Sequence, residues 1–474
     1  MSIDLTLDRI KRLYRLIQAY TRPTIHIAGT NGKGSVSALT SSILTAAGLS
    51  VGRFYSPHLI TIYDCIYVNN QEVSPQTYHE ARDDVEGVAH DNSIEISSFE
   101  MLVLTALLIF ERAKVDIVVM EVGMGGRLDA TNVIPDEVVM ISALTAVDLD
   151  HQAFLGDTVA AITKEKASIA RRGKPFVMGP QKHSQVAEVA RMVVQEAGGD
   201  FLSAPSALQM PSEDQRRPEF YSQFQPPSPC PIELNMPCFQ DPFNALLPLH
   251  GSHQLENVGL SAFIISVAVD YPSCSPLGLR DRVTPEAVVR GIANVSWPGR
   301  LSFHPIPKNL HDPSSPKALV LADGAHNPAS STTLSRYLMD YCNSPAAPNA
   351  TSTITYILSL SHSPPKTPLQ TLSPLLPPSL PSNLKVRVAV LRFTSPEGMP
   401  WVKSVLPSVL YSVVQSLCPQ AELWKGDDDK TDNLPAALQW ATSSSDPNLV
   451  VVAGSLYLVA DFYRILRGLD SVIL

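Results

Sequence analysis

The residues with the clearest chemical potential lie between Thr24 and Leu44, TIHIAGTNGKGSVSALTSSIL, where a short apolar run breaks into a glycine-rich loop and resumes as a helical pattern. Gly29, Gly32 and Gly34 let the backbone curl until its N–H groups converge, and the helix that follows adds the positive end of its dipole to the same spot. Lys33 supplies a point charge for terminal phosphates. Ser35 can offer its hydroxyl to Mg2+, whose octahedral shell takes oxygen ligands and is usually shared with substrate phosphates. The chemistry implied is phosphate binding. The spacing departs from the standard P-loop, because Ile27 stands where the first glycine belongs and Gly34 separates Lys33 from Ser35. On local context alone, a glycine-rich turn between strand and helix accounts for the same residues.

The surrounding pattern supplies the elements that must hold such a loop. A strand over Ile25 to Ala28, a helix over Lys33 to Ala47 and a second strand over Val51 to Tyr55 form a βαβ unit, which places ligands at the carboxyl ends of parallel strands. The turn Ser56-Pro57-His58-Leu59 follows at such an end, and on its own it reads as a proline-stiffened turn. Phe99 to Lys114 has the period of a buried helix, and the apolar run Val115 to Met120 delivers Glu121 to a strand end facing the ligand crevice. Gly123, Gly125 and Gly126 permit close approach of the backbone, while Arg127 and Asp129 read as residues that fix the loop. A further strand over Val138 to Ala143 leads into AVDLDHQAFLGDTVAAITKEKASI, which carries His151 and Lys166.

The 474 residues, 45% of them hydrophobic, exceed one ordinary core and predict two domains, 1–297 and 298–474. Within the first, prolines crowd the stretch 205–248, which reads as an extended or strand-and-loop insertion. The helical pattern resumes over Ser252 to Asp270, and Trp297 to Leu301, WPGRL, reads as the hinge. Beyond it, strands over Ala318 to Ala322, Ile354 to Leu358, Val386 to Leu391 and Leu449 to Ala453 alternate with helices near Trp401 to Leu417, Leu434 to Thr442 and Leu456 to Leu466, a second α/β layer. The Pro/Ser-rich stretch 361–382 reads as a surface loop.

A net charge of −9 with no clustered Lys/Arg stripe argues against nucleic acid or an anionic membrane as partner. No apolar run reaches the span of a bilayer. Asp4 and Asp8 among Leu5, Ile10, Leu13 and Leu16 suit an amphipathic helix packed on the domain, and a mitochondrial leader would avoid acids. Six cysteines without metal-type spacing favour free thiols in a reducing compartment, which makes the sequon at Asn349 idle. The expectation is a cytoplasmic monomer, with a mitochondrial pool as an alternative.

The loop AGTNGKGS resembles that of the dihydrofolate synthase and folylpolyglutamate synthase branch of the Mur ligase superfamily. Six further segments match in the family's order: SPHL at Ser56 to Leu59, EVGMGGRLDATN at Glu121 to Asn132, Asp148 to Ile169, HQLEN at His253 to Asn257, WPGRL at Trp297 to Leu301 and DGAHNP at Asp323 to Pro328. The resemblance implies a central P-loop ATPase domain with a parallel sheet and a smaller C-terminal α/β domain. It implies that Gly29, Thr30, Asn31, Gly32, Lys33, Gly34 and Ser35 hold ATP, that Gln254 and Asn257 lie near the adenine, and that Ser56, Pro57 and His58 touch a pterin-bearing substrate. Ser35, Glu121 and His151 become Mg2+ ligands. Lys166 becomes a lysine open to carbamylation, which would turn an ammonium into an anion able to orient a second Mg2+. Arg300, Asp323 and His326 resemble residues that close on ATP and the incoming amino acid and exclude water. One departure stands out: the family often has Glu-Arg before the isoleucine that is Ile66 here, and this chain has Asp64-Cys65.

The implied reaction is an ATP-dependent ligation. The γ-phosphoryl group passes to a carboxylate, and the amine of L-glutamate attacks the acyl phosphate, with Lys33 and Arg300 spreading the charge that builds up. Eukaryotic folylpolyglutamate synthases tend to carry a tyrosine-containing variant in place of GGRLDATN and a threonine after DGAH, where this chain has Arg127-Leu128 and Asn327, and the segment PEGMPWVK at Pro396 to Lys403 resembles fungal dihydrofolate synthases, which makes dihydropteroate the expected acceptor. Folylpolyglutamate synthesis, a bifunctional enzyme, and an ATP-binding switch or scaffold that ligates nothing are the alternatives.

Overall fold

The computed structural model describes residues 6–211, 222–310, 312, 314–344, 346–348, 351–364, 366–376, 384–396, 399 and 401–473. Asn349, together with Glu397, Gly398 and Pro400 of the PEGMPWVK segment, lies outside them, as do Asp4 and Leu5. The chain divides into two compact units, and the division falls between Trp297 and Pro298. Pro211 to Pro229 and Leu249 to Gly251 group with the second unit, whereas Cys230 to Pro248 stays with the first. The described residues of the proline-rich stretch 205–248 thus fall partly in each unit.

In the first unit an eight-stranded sheet runs in the order Gln71–Glu72, Ile66–Val68, Val51–Phe54, Ile117–Glu121, Thr24–Ala28, Val139–Leu144, Pro175–Met178, Asp200–Ser203. The six strands from Val51–Phe54 onward pair in parallel, and the two short ones at the other edge are antiparallel. The three central strands are buried along their whole length, which explains why they read as continuous apolar runs without alternation. From the central strand the chain crosses to Val51–Phe54 on one side, and from Ile117–Glu121 it crosses to Val139–Leu144 on the other. A reversal of this kind opens a crevice at the carboxyl ends of the strands.

Helices Lys33–Ala46, Ser98–Ala113, Val159–Ala167, Ser184–Ala197 and His253–Asp270 supply much of the remaining core. Ser97 starts one of them with a reciprocal capping box to Glu100, so that the helix begins one residue before the sequence pattern suggests. The strands Leu208–Gln209, Cys230–Leu234 and Phe243–Leu247 make a small antiparallel sheet from the proline-rich stretch.

The second unit is a six-stranded sheet in the order Ser302–Pro307, Lys317–Ala322, Asn448–Ala453, Ser352–Leu358, Leu384–Val390, Glu422–Lys425, parallel except for the first pair. Pro305 and Pro307 are tolerated because their strand is an edge. The helix expected from Trp401 starts only at Pro407, where proline's missing N–H costs nothing, and Trp401 is exposed.

Candidate functional site

The phosphate loop is shaped by what packs behind it. Gly32 adopts a positive φ of 91°, and the helix Lys33–Ala46 starts there with no side-chain cap. Its first intrahelical bond runs from Val36 N–H to Gly32 O, which leaves the amides of the opening turn to serve an anion. Gly34 is required by contact: a Cβ there would lie 2.2 Å from the Trp297 ring. At Gly29 a Cβ would lie 1.8 Å from Thr145 Oγ1. The amides of Thr30 and Asn31 both donate to Ala146 O, and Thr30 Oγ1 donates to Asp148 O at 3.1 Å. These two residues thus tie the loop to the neighbouring strand end, and their N–H groups do not point at a phosphate.

Two lysines share one carbonyl in this loop. Lys33 Nζ donates to Gly29 O at 3.2 Å and lies 3.8 Å from Glu121 Oε1. Lys166, on the helix Val159–Ala167, reaches the same Gly29 O at 2.9 Å and is only 3% exposed. Burial first, and the Lys33 cation second, push the Lys166 ammonium down to about 7. Lys166 is therefore not an ordinary solvated helix charge.

Glu121 is the last residue of its strand and is buried. The glycine loop after it is held by Asp129, whose carboxylate accepts from Met124 N at 2.8 Å, Thr131 N at 3.0 Å and Thr131 Oγ1 at 2.6 Å. Because Thr131 Oγ1 spends its proton on Asp129, His26 Nε2 donates to it at 2.8 Å, and burial pushes this histidine down to about 3, so it stays neutral. Gly126 lets the loop approach the carbonyls of Glu165 and Lys166, and Arg127 pairs with Glu165 at 3.0 Å. His151, in contrast, is half-exposed at a left-handed position (φ 49°), with Nε2 3.9 Å from Asp150 Oδ2.

In the turn after Val51–Phe54, the Ser56–Pro57 bond is cis, Pro57 is exposed and Ser56 half-buried, but His58 is only 1% exposed. Its side chain is buried, as are those of Ser35, Glu121 and Lys166. The organiser is Asp64, a residue that sequence reasoning left as a mere departure from the family pattern. Its carboxylate accepts from Tyr55 Oη at 3.1 Å, Leu59 N at 2.8 Å, Ile60 N at 2.6 Å and Thr61 N at 3.0 Å. The reciprocal Thr61–Asp64 capping box was the available signal.

Gln254 and Asn257 are buried against the phosphate loop: Gln254 Nε2 donates to Ser35 Oγ at 3.3 Å, Asn257 Nδ2 donates to Gln254 Oε1 at 2.9 Å, and Asn257 fills the space beside Gly32. They support the loop from behind and do not cap their own helix. In the second unit, Asp323 is buried with its two oxygens taken by Leu301 N and Ala325 N, each at 2.9 Å, so it braces the WPGRL segment and its own loop. Burial raises its carboxyl and the Arg300 charge lowers it. Arg300 Nη1 donates to Gly299 O at 3.0 Å. His326 Nδ1 donates to Gly324 O at 2.8 Å, which leaves the lone pair on Nε2 in the neutral ring.

Among the described residues no group of three or more His, Cys, Asp and Glu is arranged to hold a metal. The hydroxyl of Ser35 and the carboxylate of Glu121 are nevertheless the hard oxygen donors that Mg2+ takes, with its other positions filled by phosphate oxygens and water.

The family profile described as "Dihydrofolate synthetase, C-terminal domain" matches residues 308–465. Across 98% of both chains this sequence is 31% identical to the dihydrofolate synthetase of Saccharomyces cerevisiae. It is 29% identical to the probable dihydrofolate synthetase of Schizosaccharomyces pombe, over 97% of this chain and 98% of that one. Among solved structures, Mycobacterium tuberculosis folylpolyglutamate synthase complexed with ADP superimposes with a TM-score of 0.73 at 26% identity, covering 98% of this chain and 95% of the other.

Proposed function

Since the chain belongs to the dihydrofolate synthase and folylpolyglutamate synthase family, we propose that it joins L-glutamate to dihydropteroate in an ATP-dependent ligation that yields dihydrofolate. The observation that carries the choice of acceptor is the full-length match to a dihydrofolate synthetase, reinforced by the profile of that name over the second unit. ATP is the co-substrate, and Ser35 and Glu121, with His151 as a further ligand, would hold Mg2+, which would withdraw charge from the phosphate oxygens.

A carboxylate does not condense with an amine in water until one of its oxygens becomes a leaving group. The acceptor carboxylate attacks the γ-phosphorus, the bond to the β-γ bridging oxygen breaks and ADP departs. The amine of glutamate then adds to the acyl carbon, phosphate leaves, and the nitrogen gives up its proton. The opening turn of the helix Lys33–Ala46 and the Lys33 ammonium hold the phosphates. Lys166, which as an amine donates to Gly29 O and lies near enough to Lys33 to feel its charge, would act as a carbamate and supply a negative charge to the site. Ser56, Pro57 and His58 border the pterin end. In the second unit, Arg300 counters the charge of the transferred phosphoryl group and His326 receives the incoming amino acid.

The enzyme works as a monomer in the cytoplasm, with or without a mitochondrial pool, and binds neither nucleic acid nor membrane. All six cysteines are free, which suits a reducing compartment. An ADP-release assay with glutamate and either dihydropteroate or tetrahydrofolate tests the proposal. Release with dihydropteroate is expected, and release with tetrahydrofolate alone would replace this reading by folylpolyglutamate synthesis.

A further inference from the structure

Arg53 carries a buried charge that the reaction scheme does not use. It lies on the strand Val51–Phe54, just ahead of the Ser56–Pro57 turn, and is 7% exposed. Its Nε has no hydrogen-bond partner among the described residues. The guanidinium carbon sits 4.3 Å from the centre of the Tyr67 ring, 5.6 Å from that of Trp297 and 5.7 Å from that of Tyr55. The carboxylates that act on this charge through space, Glu121 and Asp64, are engaged elsewhere: Glu121 beside Lys33, Asp64 with its four donors. Ring contacts return less than the burial of an ion costs, so a residue kept here for packing alone would be better apolar.

The strand register says where this cation points its chemistry. Arg53 pairs directly with Tyr67 in an antiparallel ladder, and Tyr55 N donates to Cys65 O two residues away. The side chains of Arg53, Tyr55 and Tyr67 therefore share one face of the hairpin. Trp297 links this face to the phosphate loop, since it stacks edge-on with Tyr55 at 4.8 Å and also blocks any side chain at Gly34. An acid whose carboxylate must meet a γ-phosphate at that helix start has to present it beside this cage.

We infer that Arg53 is the specificity residue that receives the carboxylate of the acid acceptor, through a charge-assisted bidentate pair. The inference rests on the ligase reading above. A carboxylate matches the fork of a guanidinium, and a carboxamide of the same shape does not, because its NH2 group would face a donor.

The test is equilibrium binding of pteroic acid and of its carboxamide, each in the presence of ADP, to the wild-type protein and to Arg53→Met. The wild type should prefer the acid by about tenfold or more, and Arg53→Met should hold the two ligands within about twofold of each other while its affinity for ADP is unchanged. An acid preference that survives in Arg53→Met overturns the inference, as does a parallel loss of ADP and both pteroates, which would mark a packing role. If Arg53→Met does not fold, Arg53→Gln is judged by the same two outcomes. A wild-type protein that binds neither pteroate sinks the acceptor assignment itself, a result distinct from an acid preference that persists without Arg53.

Discussion

Replacing Lys166 by methionine should make the protein more stable and nearly inactive. The side chain is 3% exposed, donates to Gly29 O at 2.9 Å, and has its ammonium pushed down to about 7 from an ordinary 10.5 by burial and by Lys33. Because the folded chain releases this proton more easily than the unfolded chain, stability is fully present above the unfolded value and is lost as pH falls through the folded one. The slope between the two is about 1.4 kcal/mol per pH unit, and the whole window is worth about 5 kcal/mol. Methionine removes that penalty and forfeits a hydrogen bond of about 1 kcal/mol, which leaves a gain of about 3 kcal/mol near pH 7. Urea melts from pH 6 to 9 in CO2-depleted buffer should show wild-type stability rising with pH and the variant lacking that rise.

The same shift prepares the amine for CO2. Near neutral pH the lowered value leaves far more of Lys166 neutral than the roughly one in a thousand of a free lysine, and only the neutral amine can form a carbamate. In bicarbonate, native mass spectrometry of the wild type should show the mass of one added CO2. Lys166→Met and Lys166→Ala should each lose on the order of a hundredfold or more in turnover, and the alanine variant, which leaves room for an anion, should be partly restored by acetate or formate. A wild-type melt that is flat with pH refutes the buried-amine reasoning. Full activity of Lys166→Met, or an active enzyme with an unmodified amine in bicarbonate, refutes the carbamate.

Three further outcomes are expected. Glu121→Gln should lower turnover by about a hundredfold to a thousandfold with little change in melting temperature, and near-normal turnover at limiting Mg2+ would count against its role as a ligand. Asp64→Ala strands four donors and should cost about 2 to 4 kcal/mol in urea unfolding while raising the KM for the acceptor more than that for ATP; an unchanged acceptor KM would contradict its part in shaping the turn. Gly34→Ala forces a methyl group into the Trp297 ring and should weaken ATP-analogue binding by about tenfold or more, which fluorescence titration would reveal.

What was legible in the sequence follows a physical division. Buried parallel strands announce themselves as apolar runs, so the strands that deliver Gly29, Glu121 and Asp323 fall within a residue or two of their expected places. Lys33 and Ser35 are legible because phosphate chemistry constrains residue type and spacing together. Long-range partners are not: nothing local says that Gly34 faces Trp297, that Asn257 backs Gly32, or that Lys166 shares a carbonyl with Lys33. The burial of His58 is likewise a property of the folded turn that its motif does not announce. Asp64 looked like a loss of pattern, and its value lies in four amides and hydroxyls that only the folded turn brings together.

The most direct measurement is kcat/KM for dihydropteroate and for tetrahydrofolate on the purified protein, with glutamate saturating and ADP release as the readout. A folate in the same pocket would put an amide where the benzoate carboxylate belongs and project its glutamate carboxylate several bonds further, which forfeits the alignment that acyl phosphate formation needs. Dihydropteroate should therefore be favoured by about a hundredfold or more, mainly through kcat. Equal values would make the enzyme bifunctional, and a preference for tetrahydrofolate would contradict its assignment as a dihydrofolate synthase.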